Sequence, residues 1–184
     1  MKNILIYILP FFILGCGNSE LKPSDFKAHV ENSENGFVQK IDAAPYVITC
    51  MYMPAAYMAI NHFRKNNIKE DEFHKQEKGY EEFDLYRLEI SSDDNRNLNG
   101  LEEYFGFYMQ EGIFKVAGTD TLPCIVYHAE PFSTVQRRQR IELGFSETQG
   151  IPTQVILKKT PFSIDDIKFS FNKPEIFIPK VKLE

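Results

Sequence analysis

The chain is poor in the residues that usually announce chemistry. Its 184 residues hold three cysteines, four histidines and no tryptophan. No two cysteines stand as Cys-x-x-Cys, which excludes a thioredoxin-like redox motif and a zinc ribbon. A glycine-rich phosphate loop, a Gly-x-Ser-x-Gly elbow and a His-Glu-x-x-His helix are absent too. Basic residues are the minority, 21 against 26 acidic, for a formal charge of −5. Nucleic acid is therefore not an expected partner, and neither is a broad attraction to anionic lipid headgroups. Long apolar runs are also missing. The longest, Ile4–Leu14, is broken only by Pro10 and would reach about 16 Å as a helix, against a hydrocarbon core of ~30 Å.

What is present at the N-terminus is a charged start, a short apolar core and a small residue at its end. That is the composition of a secretory signal peptide over residues 1–15. The stretch Ile13-Leu14-Gly15-Cys16 resembles the lipobox of bacterial lipoproteins: an aliphatic residue three before the cysteine, then a small residue, then the cysteine itself. The resemblance implies diacylglyceryl transfer to the Cys16 sulfur and cleavage before Cys16. It also implies acylation of the new N-terminus. Two or three acyl chains, at ~0.8 kcal/mol per buried methylene, hold a soluble domain on a bilayer durably. Gly17 stands where the family's inner-membrane retention signal places aspartate, which implies an outer-membrane location facing the periplasm. Residues 16–24 are polar and carry Pro23, and they read as a lipidated tether. Residues 25–184 are long enough for one domain with a substantial core.

With Cys16 assigned to lipid, Cys50 and Cys124 remain in an oxidising compartment, where two thiols point to a disulfide. Both lie in nearly charge-free runs, Ile48–Met51 and Pro123–Val126, expected as neighbouring central strands.

Period-two alternation dominates the rest. Phe26, Ala28 and Val30 alternate with Lys27, His29 and Glu31, predicting a half-buried strand that forms a hairpin with Phe37–Ile41 across Asn35-Gly36. Tyr46–Tyr52 has almost no polar atom and predicts a central strand. Pro54 suits the first turn of a helix running to about Asn66. Leu101, Tyr104, Phe105 and Tyr108 predict a second helix, closed by Gly112. Leu122–His128, Ile141–Phe145, Val155–Leu157 and Ile167–Phe171 predict further strands. The expectation is an α+β fold, a mainly antiparallel sheet of about eight to ten strands with two helices in a single domain.

Several clusters are candidates for chemistry. His128 and Glu130, about 6.6 Å apart along a strand, suit an acid–base pair of an envelope hydrolase; a strand-end ion pair is the plainer reading. Cys124 and His128 are about 13 Å apart in the same frame, too far for a nucleophile and its base. Met51, Met53, Met58 and His62 offer soft ligands suited to Cu(I) in a copper-binding lipoprotein, or simply core filler. Glu70, His74 and Glu77 have helical ligand spacing, but interleaved lysines favour a solvated face. Arg137, Arg138 and Arg140 form the one dense basic patch, able to grip a carboxylate, a phosphate or an anionic glycan. No cofactor is implied. The favoured expectation is a lipid-anchored envelope protein that binds another envelope protein or a glycan without catalysis. The hydrolase and the copper protein are the alternatives.

Overall fold

The computed structural model describes residues 20–63, 68–92, 98, 100–131, 138–148 and 151–183. Residues 1–15, read above as a signal peptide, Cys16 and Arg137 lie outside the described residues.

The region read as a tether is partly built into the domain. Strand β1 (Glu20–Leu21) pairs in parallel with the last strand, β11 (Lys180–Val181). Pro23 then opens helix α1 (Pro23–Glu31), where its missing N–H and fixed φ cost nothing. The half-buried strand expected here is thus a helix. Phe26 and Val30 share a helical face as well as a strand face, because a spacing of four satisfies both periods. Both are fully buried, and burial of each side chain contributes about 1.5–3 kcal/mol.

Gly36, in the left-handed region at φ 80°, turns the chain into β2 (Val38–Ala43). The hairpin forms one turn later than expected, with β3 (Tyr46–Met53) as the partner of β2. Helix α2 (Ala55–His62) follows, and then α3 (Glu70–Tyr80), which is solvated except for the buried Phe73. Strand β4 (Phe83–Ser92) leads towards a π-helical segment, Tyr104–Tyr108, and a 3-10 turn, Met109–Gly112. The wider π spacing buries Phe105 and Met109 and leaves Tyr108 exposed, so the predicted α-helical stripe is not the buried one.

The remaining strands are β5 (Ile113–Ala117), β6 (Asp120–Pro123), β7 (Val126–Ala129), β8 (Arg138–Ser146), β9 (Thr153–Leu157) and β10 (Ile167–Phe171). The run Leu122–His128, expected as one strand, is split at Cys124-Ile125 between two sheets.

The expected single sheet with two helices is therefore corrected. The described chain has eleven strands in three sheets: β2-β3-β4-β8-β7, β10-β9-β5-β6 and the short β1-β11 ribbon. It also has three α-helices and the π-helical segment. Pairing in the two larger sheets is antiparallel throughout. The physical reason lies in β3 and β4, whose apolar residues occupy both faces. One face carries Ile48, Cys50, Tyr86, Leu88 and Ile90, packed with Val155, Leu157 and Phe169 of the second sheet. The other carries Met51, Met53 and Leu85, packed with Phe26, Tyr57 and Phe73 of the helices. A single uncovered sheet would leave one of these faces in water. The result is three layers, helices on sheet on sheet. Among the described residues, no helix is long and apolar enough to cross a membrane.

The expected disulfide is corrected as well. Cys50 and Cys124 are both free and buried. Cys50 is on β3, Cys124 stands two residues before β7, and β4 and β8 lie between those strands. At ~4.8 Å per strand this separation is far beyond the ~4.4–6.8 Å between Cα atoms that a bridge requires. Burial pushes the Cys124 thiol up to about 11, backbone hydrogen bonds opposing, and drives Cys50 higher still. Neither thiol should react readily in the native protein. A mature-length Cys16→Ser chain is expected to show no fast-reacting thiol with a chromogenic disulfide reagent when folded. The same chain should show both thiols when denatured without reductant. Absence of free thiol in the denatured chain would restore the bridge.

Candidate functional site

The end of the five-stranded sheet where β3 stops, β4 starts and β8 stops forms a cleft of about 560 Å³. Tyr52, Ala56, Phe83 and Ile178 supply its apolar wall. Glu77 from α3, Glu81 and Glu82 between α3 and β4, and Glu147 just after β8 supply carboxylates, with Lys78 the one basic residue of the lining. Such a lining suits a group that is cationic at one end and apolar along its stem.

Asp84 lies at the base of the cleft and belongs to a polar cluster buried between the two sheets. Its side chain is 1% exposed, beside Lys115 at 0% and Lys173 at 10%. The alternation that turns Tyr86, Leu88 and Ile90 toward the second sheet turns Asp84 the same way. Lys115 projects from β5 to meet it. The Lys115 ammonium donates to Asp84 Oδ2 at 2.6 Å, to Thr148 Oγ1 at 3.1 Å and to the Ser146 carbonyl. Lys173, in the turn after β10, donates to Asp84 Oδ1 and, at 3.0 Å, to the Thr148 carbonyl. Thr148 donates both its N–H and its hydroxyl to Asp84 Oδ2, at 3.2 and 2.9 Å.

Every donor of Lys115 and both oxygens of Asp84 are thus engaged, which is the condition under which a buried charge cluster persists. Burial pulls the Lys115 pKa below the usual lysine range, with the bond to Asp84 opposing that shift. The Tyr52 ring lies under Lys173 at 5.3 Å, a cation–π geometry. Burial first, and the Asp84 and Glu147 charges second, push the Tyr52 phenol well above its ordinary range, so it stays protonated. Asp84 Oδ2 accepts three hydrogen bonds and Oδ1 one, so the carboxylate is held chiefly as the anion of this cluster. The cluster braces four segments of chain, and the cleft above it offers binding surface.

The residues singled out from the sequence are placed elsewhere. His128 is exposed on the edge strand β7, and Val126 shares its face. Cys124 is buried at the break between β6 and β7, so it does not continue the strand that carries His128. Glu130 is tied to Arg140 at 3.3 Å, and Arg140 also pairs with Glu89 at 3.2 Å. Arg138 reaches the same Glu89 at 3.8 Å. The described part of the basic patch is therefore balanced by carboxylates on the sheet surface. Met51 and Met53 are buried among the helices, Met58 packs at the edge of that core, and His62 is exposed. His74 meets Glu77 at 3.1 Å and Glu70 at 3.8 Å on the solvated face of α3. No group of three or more His, Cys, Asp or Glu residues poised for a metal occurs among the described residues.

Asp84, Lys115 and Lys173 were not singled out from the sequence. The available signal was a charge inside each of two apolar runs, Phe83–Tyr86 and Ile113–Ala117. With both faces of those strands apolar, alternation alone does not say which way the charge points.

No family model matches the chain, and no curated protein matches it. Among solved structures it is similar to a protein of unknown function from Burkholderia pseudomallei. That likeness has 10% identity and a TM-score of 0.42, and it covers 86% of this chain and 93% of the other. It is also similar to a DUF4426 family protein from Pseudomonas aeruginosa, at 8% identity and a TM-score of 0.34. There the match covers 73% of this chain and 91% of the other. Neither name states an activity.

Proposed function

We propose that this chain is a lipid-anchored component of the cell envelope whose domain binds a partner without catalysing a reaction. The anchor is Cys16, and its location is the outer membrane, facing the periplasm. The observation that carries the reading is the run Ile13-Leu14-Gly15-Cys16, placed three residues ahead of the folded domain. The side chains best placed for catalysis are occupied: Asp84 by Lys115, Lys173 and Thr148, and Glu130 by Arg140. The cleft above Asp84 is the binding site in this reading. Its carboxylates favour a lysine or arginine side chain of another envelope protein over an anionic glycan.

The test is made in intact cells, with a photocrosslinking residue replacing Glu81 on the cleft wall. Wild-type protein should incorporate labelled fatty acid, partition into detergent and give a discrete adduct from the Glu81 position. The same group at Ile164, which is fully exposed and does not line the cleft, should give none. Cys16→Ser should abolish the label and release the protein into the soluble fraction. Unlabelled, soluble wild-type protein would end the anchor reading. Equal adducts from Glu81 and Ile164 would end the cleft reading.

A further inference from the structure

Phe177 and Ile178 are 57% and 43% exposed, an adjacent apolar pair on a mostly acidic protein. They are held rather than loose. Pro179 behind them is buried, and the Phe177 carbonyl accepts from His29 Nε2 of α1 at 3.2 Å. The Phe177 ring also stands edge-on to His29, with ring centroids 6.4 Å apart. Only Pro179 separates the pair from β11, and β11 runs parallel to β1 with Lys180 opposite Glu20. Parallel strands have their preceding residues at the same end. The chain from Cys16 therefore enters the domain at the end where Phe177 and Ile178 project. Two strand residues along and one strand across place Ile178 within about 8 Å of Glu20. Cys16 lies four residues before Glu20, a reach of at most about 14 Å even when fully extended. An anchor on so short a leash brings this end of the domain to the bilayer.

We infer that Phe177 and Ile178 insert into the interfacial region of the membrane that holds Cys16, and that they orient the domain on it. The inference rests on the proposed anchor for its biological setting. The occupant of the apolar pair is lipid because the leash length selects the bilayer, and because an apolar pair needs no basic surface to enter it. Ile178 also lines the cleft, so insertion sets the cleft mouth beside the membrane surface, where it meets membrane-attached partners.

The absence of tryptophan makes a direct test available. Phe177→Trp and Ile178→Trp each introduce a single fluorophore, and Phe107→Trp serves as a control. Phe107 is 74% exposed and lies on the segment bonded to Tyr127 of β7, at the opposite edge of the sheet from β2. The chain from Cys16 onward is coupled through the Cys16 thiol to maleimide headgroups in phosphatidylethanolamine–phosphatidylglycerol vesicles. Burial of Cys50 and Cys124 directs the coupling to Cys16. The anchor is then supplied chemically, so the outcome does not depend on whether cells acylate Cys16. Phe177→Trp and Ile178→Trp should show blue-shifted emission and a several-fold loss of intensity when the acyl chains carry bromine. Phe107→Trp should change in neither respect. If both reporters behave like the control on coupled vesicles, the inference fails. A blue shift that follows protein density and ignores bromination would mean that a second copy covers the pair, and would equally overturn it.

Discussion

Asp84→Asn is expected to remove about 3–5 kcal/mol of folding stability, the range for breaking a buried ion pair from one side. Asparagine keeps the shape of the side chain and deletes its charge. Lys115 and Lys173 would then stand beside one another between the sheets without the carboxylate that bonds to both, leaving only the more distant Glu147 charge to offset them. For a domain of this size such a loss lowers the melting temperature by roughly 6–20 °C, at ~2–4 °C per kcal/mol. Lys115→Met should cost less, because Lys173 and Thr148 continue to satisfy Asp84. The combined Asp84→Leu, Lys115→Met, Lys173→Met chain should be milder than Asp84→Asn alone, since no charge is left stranded. Urea melts of these chains check the order. An Asp84→Asn chain within about 1 kcal/mol of wild type, near the worth of an ordinary hydrogen bond, would mean the cluster is not a structural brace. Its charge would then have to be explained by activity.

Tyr86→Ala should cost about 3–5 kcal/mol, the range for deleting a large buried aromatic ring. Tyr86 is fully buried in β4, and its ring packs on those of Tyr52, Phe145 and Phe171 at centroid distances of 5.5, 5.9 and 5.3 Å. Its hydroxyl meets Thr153 Oγ1 of β9 at 3.2 Å, one of the polar links between the two sheets. Tyr86→Phe keeps the ring and removes only that link, so about 1 kcal/mol is expected. Thr153→Val in the Tyr86→Phe background should then cost less than in the wild type, because the partner hydroxyl is already gone. Equilibrium unfolding of the four chains measures the coupling directly. Full additivity would show that the Tyr86–Thr153 contact carries no stabilisation.

The two predictions rest on the same feature, a second sheet that the sequence does not announce. Alternation and apolar runs located most strands, since β8, β9 and β10 each read clearly on one face. The same patterns misread α1, where Phe26 and Val30 fit a strand and a helix equally. Pro23 at its start and Asp25 in its first turn were the local signs of a helix. The π-helical segment escaped because hydrophobic spacing is read against 3.6 residues per turn, and a wider turn shifts the buried face. The strand expected over Leu122–His128 failed because a chain can change sheets without changing composition.

The sequence by itself carried the expectation of a signal peptide over residues 1–15, the lipobox resemblance at Cys16, the acidic charge and the supply of apolar residues for a core. These are local or additive properties, legible without knowing what lies next to what. Tertiary structure alone decided that Cys50 and Cys124 are separated by two strands, that Glu130 is occupied by Arg140, and that Asp84 meets Lys115 and Lys173. It alone also placed Phe177 and Ile178 at the end of the domain where β1 begins. Each of these depends on which strands pair and in which direction. Strand pairing is a long-range choice, set by how two apolar faces of β3 and β4 are covered at once, and no short window of sequence contains it.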